Sequence, residues 1–162
     1  MDLWLPPGVH CADPQRAAAG APAFSYAFQP IVDVVAREVF SYEALIRGQS
    51  NEPAFRVLER VPADAKYQFD EDSRVAAIAV AVRLGLDCHL NLNLLPQGLY
   101  ISETAITSML EAAARHALPI DRVILEVTEG EVIADYANLG QQLNEFRSMG
   151  LKVAIDDFGA GY

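Results

Sequence analysis

The chain has 162 residues, of which 52% are hydrophobic, and it carries a formal net charge of −10. This length is typical of one domain, and the hydrophobic content is enough for a packed core, so wholesale disorder is excluded. The acidic balance excludes a general DNA-binding protein, which needs a basic surface. It still permits a phosphate ligand that is bound through a divalent cation.

The N-terminal and cysteine patterns predict a cytoplasmic protein. The first ten residues, MDLWLPPGVH, lack the basic start and apolar core of a signal peptide. No apolar run in the sequence approaches the roughly 20 residues of a membrane span. Cys11 and Cys88 have no CxxC spacing, which favours a reducing compartment without a disulfide framework.

Composition divides the chain near residue 23. Residues 1–23 contain four prolines and a run of small residues, which predicts a tail or linker. The folded domain is therefore expected over residues 24–162.

From residue 24 the patterns predict an alternation of strands and helices. Two strand-like runs, 24–34 and 38–48, are close enough to form a hairpin. The later elements are a short helix, then helix, strand, helix, strand, helix and strand, over residues 53–61, 64–86, 87–95, 103–117, 121–129, 134–150 and 151–155. This alternation is typical of an α/β fold with parallel strands and helical crossovers.

Several residues predict where the helices begin and end. Asp64 and Ser102 are expected to cap the starts of the second and third helices. Gly85 and Gly150 are expected to end the second and fourth. The fourth helix has one predicted apolar face, formed by Tyr136, Leu139, Leu143, Phe146 and Met149.

Polar side chains stand at or near the carboxyl ends of four successive strands. They are carboxylates and carboxamides, namely Glu43, Asn91, Asn93, Glu126, Asp156 and Asp157. In a barrel of parallel strands these ends converge on one face, where polar residues indicate catalysis. Oxygen ligands without cysteine or histidine suit a hard cation such as Mg²⁺, Mn²⁺ or Ca²⁺.

Each of these residues taken alone also has a structural explanation. Glu43 is compatible with a solvated strand end, and Asn93 with a hydrogen bond to a neighbouring loop. Glu126 and Glu129 precede a helix, whose macrodipole favours negative charge. Asp156 is compatible with a cap on the following glycine turn. The triplet DFG also occurs in the magnesium loop of protein kinases, but no GxGxxG or HRD motif accompanies it here.

Five motifs in order resemble those of the EAL-domain cyclic di-GMP phosphodiesterases. FQPIVD is similar to the opening strand of that family, YEALIRG to its signature, and LNLNLLP to its asparagine strand. LEVTE is similar to its ExTE motif, and AIDDFGAGY to its double-aspartate motif. The resemblance covers about residues 26–162, and Leu95 stands where a serine is more usual. The NLLP and FGAGY variants look most like EAL domains that accompany blue-light-sensing BLUF modules, and no such module is present in this sequence.

The resemblance implies a TIM-barrel type of fold whose first strand runs antiparallel to the rest. It also implies an enzymatic activity. The activity is cleavage of one phosphodiester bond of cyclic di-GMP to give pGpG, with two divalent cations that neutralise phosphate charge and activate a water. The implied cations are Mg²⁺ or Mn²⁺, with Ca²⁺ as an inhibitory occupant.

The resemblance also implies roles for individual residues. The ligands implied for the first cation are Glu43, Asn93, Glu126 and Asp156. Asp156 would also bridge to the second cation, which Asp157 would bind, so Glu43, Asp156 and Asp157 are the implied catalytic group. Glu129 would steady an active-site loop, and Gln29 and Arg47 would lie near the nucleotide.

The motifs account for about five of the eight strands that a barrel of this type has. The family's later strands carry a lysine that orients the attacking water and a glutamate of the second cation site, and neither has a match here. We therefore expect the chain alone to be weakly active or inactive. An open sheet edge also predicts self-association as a dimer. Any regulatory domain that accompanies this EAL-like segment would lie outside this chain.

Two other functions remain open at this point. One is a non-catalytic module that binds cyclic di-GMP, and the other is a protein-interaction module that ignores the nucleotide. Every ligand implied within the matching region is present, which favours the enzyme.

Overall fold

The fold is taken from a computed structural model that describes residues 20–102, 104–128 and 135–156. A long hairpin comes first, with β1 at Phe24–Asp33 and β2 at Glu38–Gly48 in antiparallel pairing. The Asp33 carboxylate stabilises the turn because it accepts hydrogen bonds from the backbone N–H groups of Val35 and Ala36 at 2.8 and 2.9 Å. The hairpin predicted from the sequence is confirmed.

Parallel strands and helices follow the hairpin in alternation. The helices are α1 (Ala54–Leu58), α2 (Lys66–Arg83), α3 (Gly98–Ile101), α4 (Thr107–Arg115) and α5 (Tyr136–Ser148), and the strands are β3 (His89–Leu94), β4 (Val123–Thr128) and β5 (Lys152–Asp156). Short 3₁₀ turns at Ala63–Ala65 and Ile120–Arg122 precede α2 and β4.

The five strands form one sheet in the order β1-β2-β3-β4-β5, and all pairs after the first are parallel. Within the described residues no strand joins β5 back to β1, so the sheet is open. The predicted α/β fold with an antiparallel first strand is confirmed, and five strands of a barrel-type sheet are present.

Alternation along the strands separates an apolar face from a polar face. Leu90, Leu92 and Leu94 of β3 are buried in the main core, with alternate residues of β4 beside them. Ile78 of α2 and Met109 of α4 cover this face. The residues between them in sequence, including both asparagines of β3, therefore point to the opposite face of the sheet.

Buried polar groups tie α2 to the segment that precedes α4. The Glu71 carboxylate is only 5% exposed, and it accepts hydrogen bonds from Ser102 Oγ at 2.7 Å and Thr104 Oγ1 at 3.2 Å. Arg74, equally inaccessible, pairs with Asp70 and donates to a backbone carbonyl in the same segment. These bonds satisfy charges that would otherwise be costly to bury.

Two predicted helix starts are wrong. The Asp64 side chain does not cap α2, because residues 63–65 form a 3₁₀ turn and Ala65 occupies the cap position. Ser102 does not cap α4, because the helix begins only at Thr107; its Oγ accepts from the Thr104 N–H at 3.3 Å and donates to Glu71. The helix ends at Gly85 and Gly150 are confirmed, with φ values of +70° and +100° that favour glycine.

The described residues include only part of the predicted N-terminal tail, and they allow a search for membrane-spanning helices. Residues 1–19 lie outside the described residues, so a tail or linker over residues 1–23 stays a prediction. Within residues 20–102, 104–128 and 135–156, no helix combines the length and the apolar character needed to cross a membrane.

Truncation of the core between α2 and the sheet should destabilise the protein. Ile78 is fully buried, so Ile78→Ala should lower the free energy of unfolding by about 2–5 kcal/mol, because it removes apolar contacts and leaves a cavity. Val35, which is 89% exposed in the hairpin turn, provides a control, and Val35→Ala should change it by less than about 0.5 kcal/mol. Urea unfolding followed by circular dichroism measures both, and equal effects would contradict the assigned core.

Candidate metal-binding active site

Three carboxylates from three strands meet on the polar face of the sheet. Glu43 of β2, Glu126 of β4 and Asp156 of β5 each offer one oxygen, and these oxygens all lie within 4.8 Å of one another. Glu43 and Asp156 are half-buried and Glu126 is buried. Residues that are far apart in sequence thus form one compact cluster of negative charge.

The pairing of the strands accounts for this convergence. Glu43 lies beside Asn91 in the parallel register of β2 and β3, and Asn93 lies beside Glu126 in that of β3 and β4. Asp156 lies opposite Thr128 in the pairing of β4 and β5, two residue pairs beyond the pair that Glu126 forms with Ala154. Because residues two apart share a face of a strand, the functional groups all stand on the polar side.

Both asparagines of β3 donate hydrogen bonds to the glutamates on the neighbouring strands. Asn93 Nδ2 donates to Glu43 Oε1 at 3.2 Å, and Asn91 Nδ2 donates to Glu126 Oε1 at 2.6 Å. The central strand thus holds one carboxylate on each side of it.

Burial and neighbouring charge both act on the pKa of Glu126. Its pKa is raised, first because burial penalises the charged form and also because Glu43 and Asp156 add negative charge nearby. The hydrogen bond from Asn91 opposes this shift. Glu126 therefore holds a proton more readily than an exposed glutamate does when nothing else offsets the negative charge.

The arrangement fits a hard divalent cation. The donors are carboxylate and carboxamide oxygens, which Mg²⁺, Mn²⁺ and Ca²⁺ prefer. Glu126 Oε2 is buried and has no hydrogen-bond partner among the described residues, so one oxygen of the cluster is available to a ligand. A cation at this position would offset the repulsion between the three carboxylates.

The structure brings together the four residues implied as ligands of the first cation, namely Glu43, Asn93, Glu126 and Asp156. Asp157 and Glu129 lie outside the described residues, so nothing is said of their positions. Gln29 is exposed on β1 as the antiparallel partner of Glu43. Arg47 is half-buried on β2, and its Nη1 donates to the Ile46 carbonyl at 2.9 Å.

Asn91 makes a contact that the sequence pattern does not predict. The pattern puts Asn91 near the end of a strand without indicating a partner. The spacing of Asn91 and Asn93 was the available signal, because period-two alternation puts both side chains on one face. Only the position of β4 shows that Asn91 contacts Glu126.

A cavity of about 350 Å³ lies between α1, α2 and the ends of β2 and β3. Its walls are mainly apolar, with Tyr26, Leu45 and Phe69 among them. Asn93 belongs both to the cavity wall and to the carboxylate cluster. Glu43, Glu126 and Asp156 do not belong to the described cavity wall, and the cavity is large enough for part of an organic ligand.

Comparison with known proteins identifies the family. The sequence profile of the EAL domain matches residues 13–162. The chain belongs to the EAL domain family. The resemblance inferred from the five motifs is thereby confirmed.

Among the relatives of this EAL domain is the blue light- and temperature-regulated antirepressor BluF of Escherichia coli, 31% identical over 138 residues. That match covers 85% of this chain and 34% of BluF. PdeN of Escherichia coli, named a probable cyclic di-GMP phosphodiesterase, is 25% identical over 155 residues, covering 86% of this chain and 28% of PdeN. The chain thus spans about a third of each relative. The match to BluF supports the similarity to BLUF-associated domains.

Solved structures agree with the family assignment. A standalone EAL protein from Vibrio cholerae, bound to cyclic di-GMP, has a TM-score of 0.80 and 45% identity, covering 86% of this chain and 59% of that one. Klebsiella pneumoniae BlrP1 in a complex with manganese and cyclic di-GMP has a TM-score of 0.79 and 36% identity, covering 91% of this chain and 38% of BlrP1. A calcium complex of BlrP1 also matches. The five-stranded sheet is therefore of the EAL barrel type.

The raised pKa of Glu126 predicts a pH-dependent effect on the stability of the metal-free protein. Because the folded-state pKa lies above the unfolded value, this group's contribution is fully present below the unfolded pKa. It is lost as the pH rises through the folded pKa. Glu126→Gln should therefore stabilise the protein at neutral pH, and the gain should shrink toward acidic pH.

Urea unfolding in EDTA between about pH 4 and pH 8 tests this expectation. Glu38→Gln is the matched control, because Glu38 is an exposed glutamate at the start of β2. The control should follow the parent protein at every pH. A gain for Glu126→Gln that did not vary with pH would contradict the expected linkage.

Proposed function

We propose that this EAL domain hydrolyses cyclic di-GMP to the linear dinucleotide pGpG with the help of bound divalent cations. The observation that supports it best is the convergence of Glu43, Glu126 and Asp156, with Asn93 beside them. These four residues match the ligand motifs of a family whose members include cyclic di-GMP phosphodiesterases and structures with cyclic di-GMP and manganese.

In this proposal Glu43, Asn93, Glu126 and Asp156 hold the first cation. Asp156 would also contribute to a second cation site, and Asp157 would bind that second cation. When bound, such cations neutralise phosphate charge and lower the pKa of a water. The residues of the chain provide the negative charge and the oxygen atoms that select a hard cation and fix its position.

The proposed roles of the other residues concern binding and loop order. Arg47 supplies a guanidinium, which recognises phosphate and planar acceptor groups well. Gln29, the register partner of Glu43, supplies a carboxamide beside the cluster. Glu129 steadies a loop. The apolar cavity beside Asn93 has room for part of a nucleotide base.

The cation is proposed to be Mg²⁺ or Mn²⁺, with Ca²⁺ as an inhibitory occupant. Complexes of BlrP1 with manganese and with calcium support the use of divalent cations in the family. Ca²⁺ takes more ligands in a looser geometry than Mg²⁺ does, which suits occupancy without efficient positioning of the substrate.

Loss of one ligand should remove cation binding and turnover together. Glu43→Gln removes a charge from the cluster, whereas Glu38→Gln removes one from the same strand outside it. Mn²⁺ at about 100 times its Kd should stabilise the parent protein and Glu38→Gln by about 2.7 kcal/mol. We expect Glu43→Gln to gain far less, because a carboxylate ligand is missing.

Thermal unfolding with and without Mn²⁺, followed by chromatography of cyclic di-GMP incubated with the same samples, measures both properties. Absence of pGpG together with normal Mn²⁺ binding would show a working cation site in a chain that does not turn over cyclic di-GMP, as expected if catalysis requires the lysine and glutamate that have no match here. Equal stabilisation of Glu43→Gln and Glu38→Gln would contradict the assigned cation site. The expectation that the chain alone turns over slowly or not at all stays a prediction, and this assay tests it.

We also propose that the chain self-associates as a dimer through the open side of its sheet. The outer edge of β5 has no strand partner among the described residues, and Ile155 on this strand is 61% exposed. Unpaired edges with exposed apolar side chains favour pairing with another chain.

Charge on β5 should weaken this association. Ile155→Lys places a cation on the exposed edge strand, and Ile101→Lys makes the same change at a site of similar exposure on α3. Sedimentation velocity over a range of concentrations should show a dimer for the parent protein and Ile101→Lys, and mainly monomer for Ile155→Lys. A monomeric parent protein would contradict the proposal.

A protein-interaction role is the second candidate, and the match to BluF favours it, because BluF is named an antirepressor. In that case the folded chain would bind a protein and would ignore both Mn²⁺ and cyclic di-GMP. The assay above separates the two candidates, since the enzyme requires binding of both.

A further inference from the structure

Asn91 makes a polar contact on the ligand side of the sheet that no assigned role explains. Its side chain is 4% exposed, and Nδ2 donates to Glu126 Oε1 at 2.6 Å. It lies two residues before Asn93, so both carboxamides project from the same face of β3. Asn93 belongs to the proposed ligand set, whereas Asn91 is outside it.

The register shows that the contact of Asn91 runs diagonally. On β4 the residue beside Asn91 is Ile124, and Glu126 is two positions further along. Asn91 therefore reaches forward along the sheet to Glu126. Asn93 reaches the other way, because its partner Glu43 lies beside Asn91 in the register. Each amide thus donates a hydrogen bond to a different glutamate, Asn91 to Glu126 and Asn93 to Glu43.

This pairing matters for the orientation of Glu126. The terminal torsion of a glutamate is broad, so an unrestrained carboxylate samples many orientations. The bond from Asn91 engages Oε1, while Oε2 is buried without a hydrogen-bond partner among the described residues. One oxygen is thus held and the other is left for a ligand.

We propose that Asn91 is a positioning residue for the cation site, which orients the Glu126 carboxylate so that one of its oxygens binds the metal ion. The inference rests on the proposed cation site and adds a residue to it. Hydrogen-bonded partners of metal ligands typically contribute about 10- to 100-fold to metal affinity. Asn91 itself acts through Glu126 and is not a ligand in this proposal.

A purely structural hydrogen bond between β3 and β4 is the competing explanation. It would lower the stability of the metal-free and metal-loaded protein alike and leave the Mn²⁺ affinity unchanged. A positioning role changes the affinity itself. The Mn²⁺ dissociation constant of correctly folded variants therefore separates the two explanations.

The test uses the full 162-residue chain, with Mn²⁺ as the probe and calorimetry as the readout. Asn91→Leu replaces the amide by an apolar group of similar size, and Asn91→Ser removes the reach to Glu126 while avoiding a bulky replacement. Asn91→Gln keeps an amide donor. Ser41→Ala is the matched control. Ser41 is buried on β2, on the face that carries Glu43, and its Oγ has no hydrogen-bond partner among the described residues.

Both Asn91→Leu and Asn91→Ser should bind Mn²⁺ about 10- to 100-fold more weakly than the parent protein. Ser41→Ala should stay within about twofold of the parent, and Asn91→Gln should bind more tightly than the other two Asn91 variants. All should keep the circular dichroism spectrum of the metal-free parent.

Parent-like affinity in either Asn91→Leu or Asn91→Ser would overturn the inference while leaving the cation site intact. Loss of the folded spectrum in both variants would show a structural role and would also overturn it. If the folded parent protein itself bound no Mn²⁺, the proposed cation site would fail, and the inference would fail with it.

Discussion

Parallel pairing of β2, β3, β4 and β5 is the constraint on which the candidate site depends. It carries Glu43, Glu126 and Asp156 to one edge of the sheet, although more than 100 residues separate the first from the last. Burial of alternate leucines and valines against α2 and α4 specifies this pairing, because a slip of one residue would turn the apolar set away from the helices. The core therefore determines which side chains face the site.

The resulting cluster is electrostatically unfavourable without a counter-charge. Glu126 is buried beside two other carboxylates, and its pKa is raised by burial and by their charge. Asn91 and Asn93 provide neutral donors, which orient the glutamates without cancelling their charge. An oxygen-rich site in which burial raises the pKa of Glu126 is well suited to a divalent cation, which favours the charged form of a carboxylate ligand.

Membership of the EAL family supports the proposal that the carboxylate cluster serves the hydrolysis of cyclic di-GMP. The match to BluF supports the second candidate, a protein-interaction role. Both functions are compatible with the same sheet, since a fold supports different activities through its sites. The intact carboxylate cluster favours the enzyme, because a surface used only for protein contacts has no need for three acidic groups within 4.8 Å.

The helix ends show where local patterns succeeded and where they failed. Gly85 and Gly150 ended their helices as predicted, because a positive φ is a local property of the backbone that glycine tolerates. Ser102 has an equally suitable side chain for a cap, but α4 begins only at Thr107, and the Ser102 hydroxyl accepts from the Thr104 N–H and donates to the buried Glu71 of α2. The type of side chain alone thus did not specify where this helix begins. Similarly, Leu139 and Phe146 of the predicted apolar face of α5 are buried, whereas Tyr136 and Met149 are exposed.

The sequence by itself determined the order of the elements and the alternation of strand and helix, and it selected Glu43, Asn93, Glu126 and Asp156 as candidate site residues. These features depend on periodicity and on motifs, which are properties of short segments. Only the tertiary structure decided which glutamate each asparagine holds and that Asn91 contacts Glu126. Those contacts depend on the register between strands that lie 30 or more residues apart, and no local pattern encodes that register.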